Sequence, residues 1–400
     1  MTTAMKVSHV GSKDLPIPPI KGGAVQLWID KVSRALARTR MIQVISPWDP
    51  ALPLHERHGM LCHDRVRFGR TYVRMFQKIL GVDPYNYAKR VSRQLKAFSP
   101  RIVHIHGGGS MWIRPIRKAV GSEPRIVVHL HNDPGNELHK WCFREWDPRT
   151  VFVGCSRFIC RAAERSIGVR ADNCHVIDNG VDTNEFRPWW EQLDTRHAIR
   201  QRYGIPPDAT VLLFCGRVAP EKGPQHLANA ARQLMGKHPD LWVVFVGVYR
   251  DAADPWKRDW YDTFQLIHTH LEDAWNRVVF TGALPPSQMP EMMAMGDIFV
   301  GPAEWDEPFG MVYVEAMASG LPIVATRRGG IPEVVDRSAG LLVDRPGDLS
   351  EALTQMVANP PQRLSLGRSG RALVVRRFDW SVVAVSLEAF YDSLPLAKAG

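Results

Sequence analysis

Short apolar runs separated by longer stretches of mixed polarity repeat along the whole chain, and their spacing predicts strands alternating with helices. In the first half the strand-like runs are Met5–Val10, Met41–Ile45, Ile102–His106, Arg125–Leu130, Val151–Gly154 and Cys174–Ile177. The second half supplies Thr210–Cys215, Trp242–Val246, Val278–Thr281, Ile298–Gly301, Pro322–Ala325 and Gly340–Val343. Strands in regular alternation with helices make a parallel sheet covered on both faces. At 400 residues the chain is too long for one ordinary domain, so it reads as α/β with two doubly wound domains. The polar, Pro-bearing text between Val181 and Tyr203 marks the boundary, giving a first domain over residues 1–185 and a second over 186–377. Past it, Trp380, Val383, Leu387, Phe390 and Tyr391 fall at helical spacing. This last amphipathic helix either caps the second domain or crosses back to the first.

Charge adds a local feature. The net charge of +10 is concentrated in residues 1–100, which hold 17 Lys and Arg against 6 Asp and Glu. An excess confined to one region points to a local anionic partner, a phosphorylated acceptor or a membrane surface, rather than to nucleic acid. Its centre is Arg65–Leu80, where Arg67, Arg70, Arg74 and Lys78 make one stripe of a helix and Val66, Val73, Phe76 and Leu80 the other. A solvated basic face is the plainer reading of the same pattern. No run approaches the roughly 20 apolar residues of a membrane span, and the opening MTTAMKVSHVGSKD lacks the apolar core of a secretory signal. A cytoplasmic protein is expected, with peripheral contact on the inner membrane face as an option. Cys62, Cys142, Cys155, Cys160, Cys174 and Cys215 show no metal-ligand spacing and read as reduced thiols.

The densest chemistry lies at Glu304–Gly330, EWDEPFGMVYVEAMASGLPIVATRRGG. A strand ends at Gly301-Pro302, a polar loop carries Glu307, and a short helix begins near Gly310 and stops at Gly320. The free amides at that helix start favour a phosphate. Glu307 and Glu315 would repel the phosphate itself, so they are better suited to accept hydrogen bonds from sugar hydroxyls. The second constellation, FCGRVAPEKG at Phe214–Gly223, sets Arg217 and Lys222 at the carboxyl end of a strand, where two cations can clamp a diphosphate without metal. The plain readings are surface cations and solvated acids; the apolar neighbours of Glu315 argue for a buried helix instead.

GRVAPEKG followed by EPFGMVYVEAMASGLPIVAT and GGIPEVV resembles the donor half of the retaining GT-B glycosyltransferases of the family 4 type. Gly22-Gly23, VVHLH ending at His131, VGCSRF, VIDNGVD and FDW at Phe378–Trp380 extend the resemblance along nearly the whole chain. The opening PPIKGGAVQ is similar to bacterial spore-coat-associated members. The family implies two Rossmann-like domains facing across a cleft, with a C-terminal helix, residues 378–400, returning to the first, acceptor-side domain.

By that resemblance, Arg217 and Lys222 hold the donor diphosphate and no metal or other cofactor is needed. Glu307 binds the transferred sugar, the amides of Phe309, Gly310, Met311 and Val312 lie near sugar and phosphate, and Glu315 binds the ribose. The base rests on the loop Thr281–Pro285, which contains Leu284. Gly22 and Gly23 allow close approach of phosphate or acceptor. His131 and Glu307 are the candidate catalytic residues, His131 orienting the sugar. His104, His106, His129 and His131 form H-x-H pairs that raise the question of a metal, but no carboxylate or cysteine completes a shell, and none is assigned. The implied activity is transfer of a sugar from a nucleotide sugar to a glycan, lipid-linked or small-molecule acceptor, with retention. A sugar-nucleotide epimerase of related fold and a non-catalytic coat or scaffold protein are the alternatives.

Overall fold

The computed structural model describes residues 5–67, 87–107, 110–136, 149–248 and 258–395. The chain divides into two compact units, Met1–Asn179 with Trp380–Gly400, and Gly180–Asp379. Each is built on one sheet, because the central runs of Val, Ile and Leu are buried along nearly their whole length and need cover on both faces.

In the first unit the strands are β1 Lys6–Val10, β2 Met41–Pro47, β3 His55–His58, β4 Leu61–Val66, β5 Ile102–His106, β6 Arg125–Leu130, β7 Thr150–Gly154 and β8 Cys174–Val176. Their order is β3-β4-β2-β1-β5-β6-β7-β8, and every pairing is parallel except that of β3 with β4. The β3–β4 hairpin was not expected from the sequence. Its second strand buries His63 and Arg65 where an apolar pattern would have signalled it. Arg65, expected to open the helical segment Arg65–Leu80, lies one residue before the end of this strand instead. Its guanidinium donates to the carbonyls of Ile17 at 3.0 Å and Pro53 at 2.7 Å and pairs with Glu56 at 2.9 Å. Arg67 lies over the Trp48 ring at 4.1 Å. The rest of the expected stripe, with Arg70, Arg74 and Lys78, lies outside the described residues.

The second unit contains β9 Thr210–Cys215, β10 Leu241–Val246, β11 Val278–Phe280, β12 Ile298–Gly301, β13 Ile323–Thr326 and β14 Gly340–Val343. All pairings are parallel in the order β11-β10-β9-β12-β13-β14. The order reverses between β9 and β12, as in dinucleotide-binding sheets, and ligands of such sheets bind at the carboxyl ends beside that switch. Residues 180–188 are anchored to this unit: Val181 bridges Asp379, and Arg371 donates to the carbonyls of Thr183 at 2.9 Å and Phe186 at 2.8 Å.

The closing helix Trp380–Ser393 belongs to the first unit, as the amphipathic pattern allowed. Trp380, Val383, Leu387, Phe390 and Tyr391 are buried. The helix packs along the helix Ala24–Leu36, and Arg40 fastens it by pairing with Glu388 at 3.1 Å and Asp392 at 2.7 Å. Among the described residues no helix is long and apolar enough to cross a membrane, and Cys62, Cys155, Cys160, Cys174 and Cys215 are free thiols.

Candidate functional site

In the second unit a cavity of about 220 Å³ opens at the switch between β9 and β12. Its walls are the strand ends Phe214–Gly216 and Phe299–Gly301, with Lys222, Glu307, Gly310, Met311, Val312 and Tyr313. Each polar wall residue sits where a strand has run out and the chain turns into a helix. After β9 a short turn at Pro220–Lys222 leads into the helix Pro224–Lys237. After β12 the loop 302–310 leads into the helix Met311–Ala318.

Gly310 caps that helix at φ 89°, and a Cβ there would meet the Tyr313 ring at 2.4 Å, so only glycine lets the helix start at this point. The first amides of the helix have no carbonyl of their own helix to meet. A carboxylate and a cation close the polar side: Glu307, 8% exposed, pairs with Lys222, whose ammonium also lies 4.5 Å from the Trp305 ring centre. Gly329 supports the Glu307 loop. A Cβ at Gly329 would lie 2.3 Å from the Glu307 carbonyl, and the neighbouring Gly330 amide donates to that carbonyl at 2.6 Å. The GGIPE segment therefore works by letting one backbone approach another.

The remaining candidates of this half stand nearby in sequence but do not line the cavity. Arg217 is half exposed, pairs with Glu221 at 3.0 Å and faces the Trp260 ring at 5.5 Å. Phe309 is buried against Phe378, its ring centre 5.7 Å away, which leaves only its backbone for a ligand. Glu315, on the helix, is partly buried among apolar neighbours, and the loss of water pushes its carboxyl up to about 7. The Cys215 thiol is pushed up by burial first and by Glu315 second, which places that carboxylate by the end of β9. Leu284 lies partly buried in the loop after β11.

Three candidates belong to the first unit. Gly22 and Gly23 have φ 76° and 108° in the turn before the helix Ala24–Leu36, and His131 follows β6. His131 Nε2 contacts His106 Nδ1 at 3.1 Å. Burial pushes the His131 imidazole down to about 3, so it is neutral at physiological pH. Sequence reasoning missed Trp305, Tyr313 and Glu221 around Lys222 and Arg217, and missed that His9 and the Tyr391 hydroxyl join the histidines that lead to His131. An aromatic directly before Asp306-Glu307 was the only signal for the first group; a histidine at the end of β1 was the signal for His9.

Two family models match the chain. Residues 22–185 match the model described as Glycosyltransferase Family 4, and residues 195–373 the model described as Glycosyl transferases group 1. The chain belongs to these glycosyltransferases. A putative glycosyltransferase of Bacillus subtilis, YtcC, is 28% identical over 98% of this chain and 93% of its own. The spore coat protein SA of the same organism is 26% identical over 97% of this chain and 99% of its own. Among solved structures, a sucrose-phosphate synthase from Thermosynechococcus elongatus superposes with a TM-score of 0.78 at 20% identity, covering 98% of this chain and 99% of that one. Anabaena HepE, in complex with UDP and glucose, superposes with a TM-score of 0.75 at 21% identity, covering 98% of this chain and all of that one. These two likenesses concern the fold, two Rossmann-like domains. As a glycosyltransferase of this family, the chain has its most complete group of polar residues at the switch point of the second sheet.

Proposed function

We propose that this glycosyltransferase takes a sugar from a nucleotide-diphosphate donor held at the β9–β12 switch, transfers it with retention at the anomeric carbon, and uses no metal. The observation that carries this reading is the shared cavity lined by Lys222, Glu307 and the helix start at Gly310, Met311 and Val312. A diphosphate needs a cation and backbone donors; a sugar needs an acceptor carboxylate. All of these line one space. Arg217 completes the clamp by exchanging its surface partner Glu221 for phosphate. Glu315 accepts from the ribose hydroxyls, and the backbone beside Leu284 carries the base.

Departure of the diphosphate leaves positive charge on the sugar and negative charge on the leaving oxygen. Lys222 and the helix start stabilise the leaving oxygen electrostatically. That oxygen then takes the acceptor's proton on the same face of the sugar, which preserves configuration. Glu307 holds the sugar, and the reading gives His131 of the first unit the task of orienting it, with Gly22 and Gly23 leaving room for phosphate or acceptor. An acceptor bearing anionic groups, soluble or lipid-linked, suits the basic excess of the first 100 residues.

A thermal-shift screen tests the donor. UDP is named with HepE, and GDP-mannose with a phosphatidylinositol monomannoside mannosyltransferase of Mycolicibacterium smegmatis that is 28% identical over 91% of this chain and 93% of its own, so both bases and their sugars belong in the screen. At 100 times its Kd the preferred donor adds about 2.7 kcal/mol to the second unit, or roughly 5 °C or more in Tm. The shift is expected to persist in a chelator. No response to any nucleotide would overturn the donor site, and a shift abolished by the chelator would overturn metal independence. Efficient formation of an epimer from the donor without acceptor would restore the epimerase reading.

A further inference from the structure

Among the described residues the first unit contains five neighbouring imidazoles, of which the proposed function uses one. His9 on β1, His104 and His106 on β5 and His129 on β6 are fully buried, and His131 follows directly. Parallel register sets His9 beside His104, and His106 beside His129. Two triads, His9 with His104 and His106, and His106 with His129 and His131, bring ring nitrogens within 4.8 Å of one another. A metal must lie near the plane of each imidazole that binds it, along the lone pair. His129 and His131 instead stack face to face at 4.0 Å and 17°, as His104 and His106 do at 4.3 Å and 23°. Near-parallel rings at that spacing cannot aim their lone pairs at one ion, and neither triad includes an acid to offset a dication. The cluster does not fit a metal.

Hydrogen bonds order four of the five rings instead, while both ring nitrogens of His129 are buried without a partner. The Tyr391 hydroxyl, from the C-terminal helix, lies 2.5 Å from His104 Nδ1 and 3.4 Å from His9 Nε2. His9 Nδ1 lies 3.0 Å from His106 Nε2, and His106 Nδ1 lies 3.1 Å from His131 Nε2. We propose that His104, Tyr391, His9 and His106 form a hydrogen-bonded chain that holds the proton of His131 on Nδ1, making that nitrogen a donor. The consequence for catalysis rests on the assignment of His131 to the donor sugar; the chain itself does not.

The direction follows from proton accounting. Burial pushes His9 and His131 down to about 3 and His104 and His106 well below the ordinary range, so each ring is neutral and carries one proton. His104 Nε2 is buried with no partner. A buried bare acceptor is tolerated better than a buried N–H without an acceptor, so the His104 proton belongs on Nδ1, donated to the Tyr391 oxygen. The hydroxyl proton must then go to His9 Nε2. His9 Nδ1 donates to His106 Nε2, and His106 Nδ1 donates to His131 Nε2. The last ring accepts there and keeps its own proton on Nδ1, the nitrogen able to donate to a sugar hydroxyl or phosphate oxygen. Opposite polarity at His104 would reverse every bond and leave His131 Nδ1 a bare acceptor.

The test is to label the full chain with ¹⁵N-histidine and record two-bond ¹H–¹⁵N spectra, which separate protonated from bare ring nitrogens. His131 is assigned by the signals lost in His131→Ala. A single Nδ1–H tautomer is expected for His131 in the native chain. In Tyr391→Phe, which keeps the aromatic ring and loses the hydroxyl, and in His106→Leu, His131 is expected to become a mixture of both tautomers. With the nucleotide sugar that the thermal-shift screen selects, Tyr391→Phe is expected to lower kcat about tenfold, the worth of one net hydrogen bond, with donor KM unchanged. An Nε2–H tautomer in the native chain, or a His131 tautomer unchanged in both variants, overturns the proposal. Full activity of His131→Ala beside the expected tautomers supports the chain and removes only the catalytic role of its last member.

Discussion

Lys222→Ala is expected to weaken nucleoside diphosphate binding by at least about 100-fold, roughly 2.7 kcal/mol, and to destabilise the second unit as well. The sequence pattern alone suggests a loop cation that can be removed without harm to the fold. The geometry makes Lys222 the partner of a Glu307 carboxylate whose side chain is only 11% exposed. Truncation removes the phosphate's counter-charge and leaves that carboxylate in the same cavity, unpaired and repelling the incoming anion. The stability loss is expected at about 1–3 kcal/mol, below the figure for a fully buried pair because Lys222 keeps 20% of its side-chain surface. The double variant Lys222→Ala, Glu307→Gln should recover most of the stability and little of the affinity, since the uncompensated charge is gone but the clamp is not restored. Arg217→Ala, half exposed and paired only at the surface, should cost no more than about tenfold in binding and little in stability. Calorimetric titration with the preferred nucleotide and urea unfolding measure both effects. Nucleotide affinity unchanged in Lys222→Ala would remove the clamp.

What the sequence reveals and what it hides follow from how far each feature reaches along the chain. The strands made of Val, Ile and Leu were legible because both faces of a parallel sheet are buried and the apolar run is continuous. β4 was not, since its inward positions include His63 and Arg65, and an arginine is read as outward unless its partners are known. Those partners come from separate stretches of chain, Ile17 and Pro53 from loops and Glu56 from β3. The same limit applies to the site. Glu307, Gly310 and Glu315 are visible as one short segment, and Arg217 and Lys222 as another. Their joining depends on β9 and β12 becoming neighbours, which sets Lys222 against a residue 85 positions away. Local text also could not show that Arg217 pairs with Glu221 while Lys222 turns into the cavity. The contact of His9 with Tyr391 spans 382 positions, so nothing near His131 could announce it.

Glu315→Gln is expected to stabilise the free protein at pH 8 while removing most of its nucleotide affinity. The apolar surroundings that push the Glu315 carboxyl up to about 7 disfavour its charged form in the folded state. Below the unfolded value, near 4.5, the group is protonated in both states and contributes nothing. Between that value and 7 the unfolded chain releases the proton more readily, so folded stability falls as pH rises and levels off above 7. The full penalty is about 3 kcal/mol as an upper figure, since each tenfold change in proton affinity is worth about 1.4 kcal/mol and the residue keeps some contact with water. A neutral glutamine escapes it, so the variant's advantage in Tm should be present at pH 8 and absent at pH 4.5. The ionised carboxylate is nonetheless the form that accepts two ribose hydroxyls. Bound nucleotide must therefore pull the Glu315 value down, release protons at neutral pH, and bind more tightly as pH rises from 6 to 8. Glutamine cannot offer the same pair of acceptors, and a loss on the order of 100-fold in affinity is expected for two charge-assisted hydrogen bonds. Thermal unfolding at the two pH values, with calorimetry in buffers of different ionisation heat, reads stability, affinity and proton release together. A variant that matches the native chain in Tm at pH 8 and in nucleotide affinity, beside a native chain that releases no proton on binding, would show that Glu315 is an ordinary solvated acid and that the ribose is held elsewhere.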